Sequence, residues 1–260
     1  MTGFSIENSF LSDDESRRLY ARFPELKKGI CPTCKGEKRV QWRGEMWDCD
    51  CSRQLQLAKH YSACGIGVTY QRLDWDDFRG DQDALDQVLR YLLHKDKVVD
   101  RGLGLLFYGA SGRGKTMVAN LILKELIRDG FSCFGTTFAQ TIDAFTAGWH
   151  NPDDKRWFAE KFMHSEVLLL DDLGREFKTK NSLPQSTFDN ILRTRVQEGR
   201  STFLTTNMSL RELESGYGGA VLSLLKESSL PVEFTGDDFR PQVSERTLEE
   251  LEANETRFII

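Results

Sequence analysis

The sequence has no apolar run approaching the roughly 20 residues that a helix needs to cross a bilayer. Its opening stretch, MTGFSIENSFLSDDESRR, lacks the basic segment followed by an apolar one that marks a secretory signal. The expected location is therefore the cytoplasm. Positive charge is not in excess: 35 Lys and Arg stand against 40 Asp and Glu, for a net charge of -5. Bulk charge therefore gives no support to strong non-specific nucleic-acid binding, and any such contact needs a local basic patch. No internal repeat or low-complexity run occurs, so neither a solenoid nor a wholly disordered chain is expected. Histidine is scarce, and His150 and His164 stand isolated, so no histidine metal centre is expected. What remains is 260 residues with 39% hydrophobic content, enough for one core-sized domain plus a small module.

Six cysteines are present, four of them clustered as Cys31, Cys34, Cys49 and Cys51, while Cys64 and Cys133 stand alone. In a reducing compartment clustered cysteines bind metal more often than they pair as disulfides. The stretch CPTCKGEKRVQWRGEMWDCDC is a CxxC knuckle, a hairpin-like arm and a CxC. Four thiolates suit tetrahedral Zn²⁺, and with every ligand supplied by protein the site would be structural. Four reduced thiols in a small core are the alternative. Trp42 and Trp47 lie on the arm, where they either cover the metal and build a mini-core or stack on bases.

The stretch that organises the chain is GLLFYGASGRGKTMVANLILKEL, Gly104 to Leu126. It contains the phosphate-loop pattern GxxxxGK[ST] as Gly109, Ala110, Ser111, Gly112, Arg113, Gly114, Lys115 and Thr116, with Met117 next. Leu103 to Tyr108 reads as a buried parallel strand, and Met117 to Arg128 as a helix stopped by Gly130. The glycines let backbone N–H groups turn inward as an anion nest at the positive end of that helix. Lys115 is expected to reach the β- and γ-phosphates, and Thr116 to hold Mg²⁺ through its hydroxyl. A second landmark is EVLLLDDLG, a hydrophobic strand, Val167 to Leu170, ending in Asp171 and Asp172. Parallel strands present ligand-contacting residues at their C-terminal ends. Asp171 is expected to hold Mg²⁺ and Asp172 to polarise an attacking water. STFLTTN, Ser201 to Asn207, is a further strand, and Asn207 is placed to meet that water or the γ-phosphate.

The remaining elements follow from periodicity and punctuation. Residues 1–30 read as helical, with Arg17, Arg18, Lys27 and Lys28 forming either a solvated face or a docking surface. Helices are expected over Ser52–Ala63, Asp83–Lys95, Phe138–Trp149, Lys155–His164, Pro184–Gly199 and Tyr217–Glu227. Strands are expected over Phe131–Thr137 and Leu230–Phe234. Tyr70–Gly80 reads as a polar, aromatic connector, HNPDD at His150–Asp154 as a break, and the glutamate-rich tail as a candidate for a further helix.

Phosphate loop, LLLDDLG, TTN and LPVEFTGDDFR, in this order and spacing, resemble the AAA+ ATPases of the DnaC/DnaI/IstB group over Tyr70 to Arg240. The resemblance implies an α/β P-loop NTPase core, a parallel sheet in the order 5-1-4-3-2 between helices, with the C-terminal lid absent or truncated. The cysteine module resembles that of zinc-bearing, phage-type DnaC proteins and DnaI. The division implied is a partner-docking module at 1–69, an ATPase domain at 70–240 and a tail at 241–260. By resemblance, Asp171 and Asp172 take the Walker B places and Asn207 the sensor-1 place, with ATP or ADP, Mg²⁺ and Zn²⁺ as ligands. The expected activity is loading of the replicative helicase hexamer onto single-stranded DNA, with slow ATP hydrolysis because Asp172 is a methylene shorter than the usual Glu. Alternatives are an IstB-like transposition helper and a non-hydrolysing adaptor. Self-association through AAA+ faces is implied, and no membrane partner. Leu224 occupies the place of the group's arginine finger, for which Lys226, Arg193, Arg195 or Arg200 are the candidate substitutes. Arg240 is another group-like position. Lys155, Arg156 and Lys161 are either DNA contacts or ordinary exposed cations.

Overall fold

The structure is a computed structural model, which describes residues 39–174 and 183–240 together with Ala21, Cys34, Lys35, Glu37, Val243, Glu245, Leu248, Glu252 and Ile259. The helix expected over residues 1–30, Cys31, the side chains of Trp42 and Cys51, and most of the tail lie outside the described residues.

Five strands form the central sheet: β3 (Gly104–Tyr108), β4 (Cys133–Thr137), β5 (Val167–Leu173), β6 (Ser201–Thr206) and β7 (Ser229–Glu233). Every pairing is parallel, in the order β4-β5-β6-β3-β7. Numbered from β3, this is the expected 5-1-4-3-2 order. The apolar runs are continuous because both faces are covered. Leu105 and Phe107 enter one apolar cluster while Leu106 enters the other. Along β5, Val167 and Leu169 alternate in the same way with Leu168 and Leu170.

Helices α1 (Asp50–Ala63), α3 (Gln82–Leu93) and α5 (Lys115–Arg128) supply the first cluster. Between α1 and α3 run the one-turn α2 (Val68–Gln71) and a short 3₁₀ turn, Trp75–Asp77, within the expected connector. A short α4 (Lys95–Asp100) follows α3 and was not legible from periodicity. The second cluster is built from α6 (Phe138–Ala147), α7 (Pro152–Phe158), α8 (Leu183–Gln197), α9 (Leu210–Tyr217) and α10 (Gly219–Ser228). Two expectations need correction here. HNPDD is a helix start rather than a break, because the Asn151 side chain caps the Asp153 N–H at 3.0 Å and Pro152 fits the first turn. The single helix expected at Tyr217–Glu227 is the second of a pair, α9 and α10, divided at Gly218, whose φ is +89°. No described helix is long and apolar enough to cross a membrane.

The cysteine arm is a hairpin. Strands β1 (Arg39–Trp42) and β2 (Glu45–Asp48) pair antiparallel through Arg43 and Gly44, both at positive φ, as the twist of a two-residue turn requires. Trp47 is 54% exposed, so it does not build a mini-core; a two-stranded ribbon buries little on either face. Helix α1, which follows, is seated on α5. The Arg128 guanidinium donates to the Tyr61 hydroxyl at 3.0 Å, and the Cys64 carbonyl accepts from Gly135 N–H at 2.8 Å on the edge strand β4. Ile259 is buried against α1, exchanging backbone hydrogen bonds with the Gln54 amide at 2.7 and 2.9 Å.

Two buried cations staple the layers. Lys124 of α5 donates to the carbonyls of Tyr70, Gln71 and Leu73, which fixes the connector against the phosphate-loop helix; burial pushes its pKa down to about 8. Arg195 of α8 is fully buried. It donates to the carbonyls of Phe162, Ser165 and Ser201 and to the Thr202 hydroxyl, and desolvation lowers its pKa to about 9. It thus satisfies the turn entering β5 and the start of β6. Replacing Arg195 by Met strands these acceptors and is expected to lower stability by on the order of 3 kcal/mol, read by chemical denaturation.

Candidate functional site

The loop between β3 and α5 is shaped by glycines that the geometry requires. Gly112 and Gly114 have φ of +81° and +86°. A methyl at Gly112 would lie 2.1 Å from the Asp238 carboxylate, and one at Gly114 would meet the rings of Phe78 and Phe239. Those rings belong to an edge-to-face aromatic group with Phe234 behind the loop. The segment after β7 crosses the same surface: Arg113 donates to the Phe234 carbonyl at 3.0 Å, and Phe239 N–H to the Gly112 carbonyl at 3.3 Å. Asp81 at the start of α3 accepts from the Thr235 N–H at 2.8 Å. The motif LPVEFTGDDFR marks this strap in the sequence, but its packing against the phosphate loop is visible only in the fold.

Lys115 is 6% exposed. Its ammonium donates to the carbonyls of Gly109 at 2.8 Å and Ala110 at 2.7 Å, and to Asn207 Oδ1 at 2.9 Å. Burial pushes its pKa down to about 8; Asp172 and Asp171 act against that shift, and Arg113 and Arg240 act with it. The Thr116 hydroxyl donates to Asp171 Oδ1 at 2.8 Å. Burial raises the Asp171 pKa, while hydrogen bonds from Thr205 and Thr116 hold it back. Asp172 sits at φ +63°, in a bulge where β5 slips against β6. The ends of β3, β5 and β6 therefore bring Lys115, Thr116, Asp171, Asp172 and Asn207 together. A hydroxyl and carboxylates are hard oxygen donors of the kind Mg²⁺ takes. A glycine nest with a buried ammonium suits polyphosphate.

The family model described as IstB-like ATP binding protein matches residues 57–227. The chain belongs to this family. Among relatives of the IstB-like chain, the uncharacterized protein YdaV of Escherichia coli (strain K12) is 23% identical over 197 residues, covering 74% of this chain and 77% of that protein. The replicative helicase loader DnaI of Bacillus subtilis (strain 168) is 25% identical over 182 residues, covering 65% of this chain and only 56% of DnaI. The crystal structure of the DnaC helicase loader aligns with a TM-score of 0.56 at 23% identity, over 65% of this chain and all of that one. At that identity the likeness shows the fold alone.

Other site residues fall into place around this core. Leu224 is packed in the second apolar cluster. Of the substitutes for the finger, Arg195 is excluded, since it is wholly buried and bonded within its own subunit. Arg193 is held by Asp189 at 2.8 and 2.9 Å, Arg200 by Glu198 at 2.8 Å, and Lys226 is exposed. Lys155 and Arg156 are exposed on α7, while the Lys161 ammonium lies over the Phe134 ring. Cys34 and Cys49 are both buried near the base of the hairpin. Among the described residues no group of three or more His, Cys, Asp and Glu is placed to hold a metal, and Cys31 and the Cys51 side chain lie outside them. A cleft of about 680 Å³ is lined by Phe131, Glu166, Gly199 and Arg200 at the N-terminal ends of strands, away from the loop.

Gly112→Ala is expected to weaken ATP binding at least about tenfold, because the added methyl displaces the strap and its left-handed backbone costs roughly 1–2 kcal/mol. Titration with a fluorescent nucleotide beside a thermal melt measures both effects.

Proposed function

We propose that this chain is an ATP-dependent loader of the replicative DNA helicase onto single-stranded DNA, acting in the cytoplasm and hydrolysing ATP slowly. The observation that carries the reading is the convergence of Lys115, Thr116, Asp171, Asp172 and Asn207 at one end of the sheet. Gly109 to Met117 would cradle the triphosphate, with backbone N–H groups and Lys115 neutralising it. Thr116 and Asp171 would hold Mg²⁺, which supplies positive charge beside the phosphates. Asp172 would polarise the attacking water and Asn207 orient it. Lys115 is already bonded to Asn207, so its release toward a γ-phosphate would be felt at the end of β6. An apolar Leu224 where the resemblance implies an arginine finger fits weak turnover in isolation, since such a finger contributes about 10³-fold or more.

The DnaI relative and the DnaC-like fold support loading over other replication-linked roles. In this reading residues 1–69 dock the helicase, residues 70–240 bind ATP and self-associate through AAA+ faces, and residues 241–260 form the tail. Lys155, Arg156 and Lys161 would contact DNA phosphates. Cys31, Cys34, Cys49 and Cys51 would hold a structural Zn²⁺; the hairpin supports this by bringing the segments that carry Cys34 and Cys49 toward each other. The family itself favours a second reading, an IstB-like transposition helper acting with a transposase. A non-hydrolysing adaptor is the third.

Capture of the replicative helicase hexamer by the purified chain, with ATP and without, decides among them. Loading requires ATP-dependent capture that Lys115→Ala loses together with at least about a hundredfold of its ATP affinity. Capture of a transposase instead, or undiminished ATP binding by Lys115→Ala, is the contrary outcome. For zinc, elemental analysis is expected to find one equivalent per chain, and Cys34→Ser with Cys49→Ser to release it while ATP binding persists. A metal-free wild-type chain would remove zinc from the scheme.

A further inference from the structure

The bulge that carries the two acids has an unusual support. In the pairing of β5 with β6, Leu170 faces Leu204 and Leu173 faces Thr206. Asp171 and Asp172 are therefore opposed by the single residue Thr205. Such a bulge leaves the extra residue outside the ladder and re-aims its side chain. Here the Asp172 N–H does not go without an acceptor: it donates to the Thr205 hydroxyl oxygen at 2.9 Å. The same hydroxyl donates its proton to Asp171 Oδ1 at 2.5 Å. One side-chain oxygen, 2% exposed with its residue, thus accepts from one acid's backbone and donates to the other acid's carboxylate.

We infer that Thr205 is a positioning residue for the site: its hydroxyl fixes the bulge, and with it the directions in which Asp171 and Asp172 point. Three features support this beyond ordinary satisfaction of a buried polar group. Asp172 stands at φ +63°, a conformation costing roughly 1–2 kcal/mol for most L residues, so something must hold it there. Thr116 from α5 and Thr205 from β6 converge on the same oxygen of Asp171, which locks that carboxylate from two sides. The residue two positions on, Asn207, bonds Lys115. The end of β6 thereby sets the acids and the ammonium together. Thr206, between them, serves another purpose, donating to the Leu173 carbonyl at 2.7 Å.

The inference rests on the nucleotide and Mg²⁺ reading given above, and the test separates the two. The full-length chain is compared with Thr205→Val, which keeps the shape and removes the hydroxyl, and with Thr205→Ser, which restores it. Thr205→Ala replaces the Val variant if the latter does not fold. Ser201→Ala, at the far end of β6, gauges the general effect of losing a buried hydroxyl from this strand. Three quantities are read: the Mg²⁺ concentration for half-maximal ATP turnover, the affinity for a fluorescent ADP analogue with and without Mg²⁺, and the exchange rate of the Asp172 amide in nucleotide-free protein.

In Thr205→Val the Mg²⁺ requirement is expected to rise by about 10- to 100-fold, the range found when a hydrogen-bond partner of a metal-holding carboxylate is removed. Mg²⁺-free ADP affinity should stay within about twofold, because the phosphate loop keeps its own bonds. The Asp172 amide should exchange faster, Thr205→Ser should recover all three values, and Ser201→Ala should leave the Mg²⁺ requirement unmoved. A Thr205→Val protein with wild-type Mg²⁺ dependence and Asp172 protection, or a Ser variant that recovers nothing, overturns the assignment while leaving nucleotide binding intact. A wild-type chain that binds no nucleotide overturns both.

Discussion

A hydroxyl from helix α5 and a carboxylate from strand β5 meet at 2.8 Å, Thr116 on Asp171, and the rest of the site is arranged around that contact. The two residues are 55 positions apart, so nothing local brings them together. The strand order does. With β6 between β3 and β5, the phosphate loop leaving β3 lies across β6 from the acids leaving β5. The loop helix then reaches over that gap, and Thr116 at its first turn closes it. Side chains from three strand ends are thereby held in a space where loops alone would leave them mobile.

The layers on which that space is built are tied by buried cations that are paired with neutral partners. Lys124 and Arg195 are cations inside the protein, yet the bonds that hold them run mainly to backbone carbonyls. Desolvation lowers both pKa values, as expected for charge removed from water. The gain is geometric. Lys124 pins the connector to the phosphate-loop helix, and Arg195 pins the entry to β5 to the entry to β6.

Lys115 follows the same pattern: two loop carbonyls and Asn207 receive its ammonium. An anionic ligand competes for a group that is already satisfied, and the burial that lowers its pKa also strengthens its attraction to phosphate once bound. The proximity of Arg113 and Arg240 adds positive field to the same spot. The strap from Phe234 to Arg240 ties this field to the loop, since Asp238 and Phe239 pack where glycine side chains are missing.

The phosphate-loop pattern, the order of strands in the core and the five residues that the strand ends bring together were legible in the chain, because each is a local pattern with a physical meaning. Apolar runs of strand length between helical periods leave few alternatives, and the spaced glycines before Lys115 mark a tight loop that most side chains would strain. Periodicity could not see α4 or α9, which are too short to show a clear stripe, and it misread HNPDD, where the capping Asn and first-turn Pro look like a break. It could not tell that Arg195 is interior while Arg193 and Arg200 are bound to carboxylates, since all three are charged residues at or just past the end of one helix. Nor could it find that Thr205 faces both acids. That depends on a register slip between two strands, and register is decided by how whole faces pack across the sheet, which only the tertiary structure contains.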